Sequence, residues 1–350
     1  MRILSVASRL PDYHYSQEAI TEALVAYWQK KLGDRSALLE RLHVRARVKR
    51  RHLAFPIEHY PQFDTWGKAN RAWFEVAEEL GARAIESALA DAALTAADID
   101  ALFVVSVTGI ASPSLDARLI NRLGLRPDLK RTPIFGLGCV GGAAGLSRAA
   151  DYVLAYPCQR ALLLAVEICS LTMRRDDLST ANLIATGIFA DGAVAAIIGG
   201  EEVHADGPRI LAYQSVFYPD TEDIMGWDIS ERGFGIVLSP RLPGLIKQYL
   251  ADDLDSFLAA NRLRRSDIAN WVIHPGGPKV LEAVEDALNL HDQQLRLSWE
   301  SLERIGNLSS ASVLCVLEDT ITRNRPMPGT LGVIAAMGPG FCSEFVLLRW

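Results

Sequence analysis

The sequence predicts an α/β fold made of two similar halves, and three observations support it. Apolar runs long enough for fully buried strands occur at 99–107, 161–166 and 192–198. The run at 99–107 follows a helical stretch, the order that produces a parallel sheet covered on both faces. The pattern also repeats: Leu258 lies 169 residues after Leu89, and Asp267 lies 169 residues after Asp98. Such self-similarity indicates a duplicated unit, here two βαβ-rich halves packed around a pseudo-two-fold axis.

The composition excludes several classes of protein. The chain has 350 residues, 49% of them hydrophobic and 22% charged, so it can form a full core. Its net charge of −6 provides no positive field for nucleic acid. No signal peptide and no apolar run of about 18 residues is found, so we expect a cytoplasmic protein without integral membrane association. The five cysteines show no CxxC spacing, which argues against zinc and against a disulfide framework: Cys139, Cys158, Cys169, Cys315 and Cys342.

The first elements follow from alternation and capping. Residues 2–8 alternate as a strand, and Ser16 is placed to cap a helix that runs to about Lys31. A long helix is expected over 69–93. Between these helices lies a basic run that is either a solvated helix face or a clamp for phosphates: Arg41, Arg45, Arg47, Lys49, Arg50 and Arg51.

The remaining elements fall into the two halves of the chain, which are predicted to be residues 1–205 and 206–350. A helix over 114–123 follows the strand at 99–107, and a second-half strand over 271–274 matches that strand. Within one residue the same repeat places Gly138-Cys139 on Gly306-Asn307, each before a helix of small residues. Helices beginning at Cys139 and Asn307 would then lie antiparallel at the centre, with their N-termini near one site.

Three side chains in this arrangement point to chemistry. Cys139 lies between glycines where a strand-like run becomes helical, and a helix N-terminus lowers a thiol pKa. His274 ends a strand before a Pro/Gly loop, where open α/β sheets place functional groups. Each has a plainer interpretation: a buried inert thiol, a histidine in a turn, and an N-cap for Asn307. The repeat brings the three together, which favours the functional interpretation.

A cysteine with histidine and asparagine fits two kinds of reaction. One is peptide or acyl hydrolysis. The other is carbon–carbon bond formation between thioesters, in which a Cys139 thiolate paired with His274 accepts an acyl group from coenzyme A. His274 Nε2 and the Asn307 amide would then stabilise the enolate formed when malonyl thioester loses carbon dioxide.

The chain resembles the type III polyketide synthases, the chalcone/stilbene synthase family of the thiolase superfamily, over nearly its whole length. The matching segments are 137–142, 189–193, 273–278, 306–314 and 337–341. The resemblance implies a thiolase-like five-layered αβαβα fold, a homodimer, and iterative condensation of malonyl-CoA onto an acyl-CoA starter. It implies no cofactor, metal or acyl carrier protein.

Carried over by position, Cys139, His274 and Asn307 match the family's catalytic triad. Phe189 matches the first of two gatekeeper phenylalanines, whereas the second position holds Ile236, which suggests a wider or more apolar mouth. The other residues that the resemblance places at the substrate or coenzyme A are Arg41 and Arg45 (coenzyme A phosphates), Cys169 and Thr172 (chamber lining), Gly276, Gly277 and Ser309 (within the matching segments), and Gly338 and Pro339 (the loop beside the chamber). Ser112 replaces a methionine that plant members insert across the dimer interface.

Within the family, the segments 225–229 and 340–344 resemble bacterial enzymes that make long-chain alkylpyrones and alkylresorcinols. Trp227 stands where plant chalcone synthases have glycine, and small Ser112 and Cys169 leave room for a fatty acyl tunnel. We therefore expect a fatty acyl starter. The alternatives are a ketoacyl synthase III, which condenses once on acyl carrier protein, and a non-catalytic acyl-CoA-binding scaffold. A thiolase would need histidine at Asn307, and a hydroxymethylglutaryl-CoA synthase a glutamate acid.

Overall fold

The computed structural model describes residues 1–291 and 293–350. The strands are β1 (Arg2–Arg9), β2 (Tyr13–Ser16), β3 (Arg50–Leu53), β4 (Ala101–Val105), β5 (Lys130–Ile134), β6 (Arg160–Ile168), β7 (Asp191–Gly199), β8 (Arg209–Phe217), β9 (Met225–Ser230), β10 (Gly233–Leu238), β11 (Ile268–Ile273), β12 (Leu331–Gly338) and β13 (Cys342–Arg349). The helices are α1 (Gln17–Leu32), α2 (Ser36–Arg45), α3 (Trp66–Asp91), α4 (Leu115–Leu123), α5 (Gly141–Ala155), α6 (Thr180–Ile188), α7 (Leu242–Ala260), α8 (Pro278–Leu288), α9 (Arg296–Ile305) and α10 (Ser312–Asp319).

Nine strands form the main sheet, in the order β11-β12-β13-β8-β1-β7-β6-β4-β5. The pairs β4–β5, β4–β6 and β11–β12 are parallel, as the buried apolar runs predict, and the other pairs are antiparallel. The first-half and second-half strands meet at the pair Arg2–Arg209. The hairpins β2–β3 and β9–β10 lie outside this sheet.

The alternation of side chains along the strands shows five layers. In β4, Phe103 and Val105 pack into a core shared with α5 and α10, whereas Leu102 and Val104 face α3 and α4. The second half repeats this arrangement, since alternate residues of β12 face the same α5/α10 core or a third core with α7 and α8. The layers are therefore helix, sheet, helix, sheet, helix, and the thiolase-like αβαβα fold is confirmed.

The two central helices meet closely because their first residues are small. A Cβ added to Gly142 would lie 2.1 Å from the carbonyl oxygen of Ser310, a separation that real Cβ atoms do not show. Gly142 and the Ser309–Ala311 turn before α10 are thus in direct contact. The repeat brings the two helix N-termini to one place, as expected.

The duplication is visible in local hydrogen bonds as well. Asp98 Oδ2 accepts from the Thr95 amide at 2.7 Å, and 169 residues later Asp267 Oδ2 accepts from the Arg264 amide at 2.8 Å. Each hydrogen bond belongs to a short 3₁₀ turn that precedes a strand with a parallel partner, β4 in the first half and β11 in the second. The division at 205–206 stays a prediction.

Several sequence-based boundaries are wrong. The helix expected over 69–93 begins at Trp66, because the Thr65 side chain caps it through the Lys68 amide. The central helices begin at Gly141 and Ser312 rather than at Cys139 and Asn307. Cys139 lies in a 3₁₀ turn, Gly138–Val140, and Asn307 precedes a second one. In the described part of the chain, no helix has the length and apolar character needed to cross a bilayer.

Candidate active site

Cys139 is buried in the turn before α5, and the end of β12 packs against this turn. A Cβ on Gly338 would lie 2.6 Å from the Leu137 carbonyl oxygen and 2.7 Å from the Val140 nitrogen. Gly138 has a φ of +51°, and a Cβ there would lie 2.7 Å from Pro339 Cδ. The glycines therefore let Gly338 and Pro339 lie directly on the cysteine turn, and their place beside a substrate chamber stays a prediction.

Asn307 is fixed on three sides. Its backbone forms a bridge with Phe189: Asn307 N donates to the Ile188 carbonyl, and Ala190 N donates to the Asn307 carbonyl, both at 2.9 Å. Its Nδ2 donates to the Gly276 carbonyl at 3.0 Å, and its Oδ1 accepts from Ser309 N at 2.8 Å. The side-chain amide thus has a set orientation and keeps a second N–H for Cys139 or a substrate.

His274 follows β11 and is held by its backbone alone. Its amide donates to the Ala335 carbonyl at 2.9 Å, and the side chain is buried. Within residues 1–291 and 293–350, neither ring nitrogen has a hydrogen-bond partner. A buried imidazole that lacks partners costs free energy, so such a group calls for an explanation such as catalysis. The bond from Asn307 to Gly276 joins the His274 loop to the cysteine site.

Burial acts against the expected ion pair of Cys139 and His274. Burial raises the pKa of the Cys139 thiol to about 11, although hydrogen bonding with Ser309 and with Asn307 acts in the opposite direction. Burial also lowers the pKa of His274 to about 3. Desolvation thus favours the neutral form of each group taken by itself and opposes the thiolate–imidazolium pair that the sequence suggests, which stays a prediction.

The raised pKa of Cys139 predicts how its thiol reacts with iodoacetamide. With a pKa near 11, the thiolate fraction grows about tenfold per pH unit, so the alkylation rate should rise steadily from about pH 7 to pH 9. The measurement is the rate of mass gain at Cys139, with Cys139→Ala as the blank. A rate that is flat across this range would show a preformed thiolate and contradict the raised pKa.

Glu167 is a site residue that the sequence reasoning passed over. It is completely buried at the end of β6 and accepts hydrogen bonds from Val107 N at 3.0 Å and Thr108 Oγ1 at 2.8 Å. Ser310, from the turn after Asn307, also donates to it. Burial raises its pKa to about 7, and its charge contributes to the raised pKa of Cys139. A glutamate that ends a wholly apolar strand was the signal that could have identified it.

A cavity of about 280 Å³ lies beyond Phe189. Five residues named from the sequence line it: Cys169, Thr172, Phe189, Trp227 and Ile236. Trp227 and Ile236 are directly opposite each other in the β9–β10 hairpin, and Trp227 Nε1 donates to the Val107 carbonyl at 3.0 Å. These five residues therefore line one cavity, and their contacts with substrate stay predictions.

Other named residues lie elsewhere. Arg41 and Arg45 are exposed on α2 and do not line this cavity, and Ser112 is exposed in the loop before α4. Their expected contacts with coenzyme A and across a dimer interface stay predictions. Arg51, the last residue of the basic run, is only 3% exposed, so it does not belong to a solvated face, and the phosphate clamp stays a prediction for this run. Among the described residues, no group of three or more His, Cys, Asp or Glu side chains is placed to hold a metal.

Comparison with known proteins gives a consistent result. Residues 1–202 match the family model described as chalcone and stilbene synthases, N-terminal domain, and residues 210–350 match the C-terminal domain. A 1,3,6,8-tetrahydroxynaphthalene synthase of Streptomyces peucetius is 52% identical over 99% of this chain and 93% of its own length. A phloroglucinol synthase of Pseudomonas fluorescens is 29% identical over 97% of this chain and 98% of its own. The crystal structure of a bacterial type III polyketide synthase, the tetrahydroxynaphthalene synthase of Streptomyces coelicolor, superposes with a TM-score of 0.95 at 31% identity over 100% and 99% of the two chains.

Proposed function

The chain belongs to the chalcone and stilbene synthase family and is a type III polyketide synthase, an acyl-transferring condensing enzyme, and from this premise we propose that it builds a polyhydroxylated aromatic product of the tetrahydroxynaphthalene class from malonyl-CoA alone. The observation that carries the proposal is the 52% identity, along the whole chain, to an enzyme named for that product. A naphthalene skeleton consists wholly of two-carbon units, which is what malonyl condensation supplies.

The residues of the site support a thioester condensation. The Cys139 sulfur attacks the thioester carbonyl of the first acyl-CoA, its proton passes to neutral His274, and coenzyme A leaves as the thiol after regaining a proton. The next malonyl-CoA loses carbon dioxide, and the electron pair of the broken C–C bond forms an enolate. N–H groups of His274 and Asn307 stabilise its oxygen. The enolate carbon then attacks the acyl group on Cys139, the thiolate leaves, and the chain is two carbons longer.

A second candidate function is the extension of a long-chain acyl-CoA starter, followed by cyclisation of the extended chain to alkylpyrones or alkylresorcinols. The observation that favours it is the cavity beyond Phe189, whose walls include Ile20, Leu24 and Leu53 and which has Ile236 at a gatekeeper position. Apolar walls of this kind suit an alkyl chain. This candidate does not change the roles of Cys139 and Asn307.

Incubation of the pure protein with malonyl-CoA, with and without a series of acyl-CoA starters, followed by mass spectrometry of the products, tests these candidates. The proposal predicts an aromatic product from malonyl-CoA alone. A product that appears only when a long-chain acyl-CoA is present would contradict this proposal and support the second candidate. A single-round ketoacyl product formed only on acyl carrier protein would refute both, as would the absence of any product.

We also propose a homodimer that works in the cytoplasm. Strand β5 is at the edge of the described sheet, and the residue that follows it, Phe135, is 47% exposed. An open strand edge beside an exposed aromatic residue is suited to pairing with a second copy. All five thiols are free, as a reducing compartment would leave them. A monomer in sedimentation at micromolar concentration would contradict the dimer.

A further inference from the structure

One polar group in the cavity beyond Phe189 has no partner. Arg51 lines this cavity and is 3% exposed, yet its Nη2 makes no hydrogen bond in the described structure. Among the described residues that line the cavity, it is the only one with such a buried unpaired polar atom. Buried guanidinium groups are normally paired, so the free nitrogen indicates a ligand.

The guanidinium is held in place by its other nitrogens. Arg51 Nε donates to Gln17 Oε1 at 3.0 Å, and Nη1 donates to the Phe189 carbonyl at 2.9 Å. Gln17 is fixed in turn, since its Nε2 donates to the Gly187 carbonyl at 2.8 Å. A donor that is positioned before its ligand arrives loses little entropy on binding, which favours affinity.

The neighbouring carboxylate of Asp191 is hydrogen-bonded to groups other than Arg51. Asp191 is buried beside it, but its oxygens accept from Ala54 N at 2.7 Å, Ser170 N at 2.8 Å and Ser170 Oγ at 2.5 Å. No ion pair joins Asp191 to Arg51 in the part of the chain that the structure covers. Burial raises the pKa of Asp191 to about 6 and lowers the pKa of Arg51 to about 10. At neutral pH the arginine is therefore a cation with one free donor nitrogen.

Phe189 links the wall of this cavity to the residues around the nucleophile. Phe189, whose carbonyl Arg51 binds, is paired through its backbone neighbours with Asn307. Asn307 Oδ1 accepts from Ser309 N at 2.8 Å, and Ser309 Oγ lies 3.8 Å from Cys139 Sγ, so the contacts run from the cavity wall to the nucleophile. Cys169 lines the same cavity. An acyl group on Cys139 that enters the cavity past Cys169 approaches Arg51.

We propose that Arg51 binds the free carboxylate of a malonyl starter carried on Cys139, through its unpaired Nη2. Transfer of a malonyl group from coenzyme A to the cysteine keeps this carboxylate during chain extension, whereas each extending malonyl unit loses its own carboxylate as carbon dioxide when it condenses. The starter carboxylate leaves as carbon dioxide only after extension, which gives a skeleton made wholly of two-carbon units. A fatty acyl starter ends in a methyl group and gains nothing from the cation. The inference rests on the proposed function, since it requires malonyl-CoA to act as starter as well as extender.

The test compares Arg51→Met with wild type at saturating malonyl-CoA, measuring aromatic product and total carbon dioxide release. A starter-binding role predicts that product per carbon dioxide falls about 10- to 100-fold, the scale of one lost hydrogen bond to a charged group, while carbon dioxide release persists. Arg175→Met is the matched control. Arg175 lines the same cavity, but both of its terminal nitrogens already donate to the Tyr60 and Pro61 carbonyls. In this control product and carbon dioxide should change by the same factor.

The outcomes separate the inference from the proposed function. If Arg51→Met lowers product formation and carbon dioxide release by the same factor, Arg51 only supports Phe189 and the inference is overturned. If Arg51→Met forms product and releases carbon dioxide at the wild-type rates, the inference is overturned as well. If Arg51→Met does not fold, Arg51→Gln is tested in its place, because glutamine keeps an amide donor for the Phe189 carbonyl. The ratio of product to carbon dioxide is then measured in Arg51→Gln. If wild type makes no product from malonyl-CoA alone, the proposed function itself has failed.

Discussion

Replacing Cys139 by alanine is expected to lower polyketide formation by a factor of about 10⁴ or more, the scale on which acyl-transfer enzymes depend on their nucleophile. The chain must be held covalently while the enolate attacks it, and alanine offers no atom for the thioester. Product formation from malonyl-CoA, measured by mass spectrometry, is the readout. The variant should fold, because Cys139 is a small side chain in a turn and its sulfur makes one long contact, 3.8 Å, with Ser309 Oγ.

The same variant separates the two half-reactions. His274 and Asn307, which stabilise the enolate, are intact in Cys139→Ala, so release of carbon dioxide from malonyl-CoA should continue without chain growth. Cys315→Ala is the matched control, since Cys315 is an equally buried thiol in α10. Retained polyketide formation in Cys139→Ala, or equal loss in both variants, would contradict the assignment of the nucleophile.

Asn307→Asp is expected to lower both carbon dioxide release and product formation about 10²- to 10³-fold, the usual effect of losing one oxyanion donor. The substitution keeps the shape of the side chain and the Oδ1 that accepts from Ser309 N and Ser312 Oγ. It replaces Nδ2 by an oxygen that faces the Gly276 carbonyl and, in the reaction, the enolate. The carboxylate thus removes a donor and adds a repulsive charge at the same position. Rates of carbon dioxide release from malonyl-CoA give the measurement.

The control for this prediction is Ser312→Ala. Ser312 Oγ donates to Asn307 Oδ1 at 3.2 Å and accepts from the Leu308 amide, so its loss disturbs the same loop without changing the donor. It should affect the reaction much less than Asn307→Asp. If Asn307→Asp keeps carbon dioxide release while losing only chain growth, the amide does not stabilise the enolate and the mechanism must be revised.

Much of the fold follows from local signals in the sequence. The apolar runs became β4, β6 and β7 because strands buried on both faces need such runs, and the Ser16 cap holds because its hydroxyl accepts from the Ala19 amide. The repeat predicted that Cys139 and Asn307 meet, since duplicated halves bring equivalent positions together. It did not predict the 3₁₀ turns before α5 and α10, which depend on contacts between the halves.

The electrostatics of the site could not be predicted in this way. A helix N-terminus suggested a lowered thiol pKa for Cys139, whereas burial by both halves raises it, and no local pattern reveals that burial. Arg51 looked like the end of a basic surface run, but its strand β3 pairs with β2 and turns the side chain inward to Gln17. Both features arise from distant segments, so they appear only in the folded chain.

The measurement that tests the central claim most directly is the mass of the intact protein after brief exposure to malonyl-CoA. Our account predicts that the wild-type chain gains one acyl group, that peptide mapping places it on Cys139, and that Cys139→Ala gains none. A wild-type chain that gains no mass while product forms, or an acyl group that persists in Cys139→Ala, would contradict it.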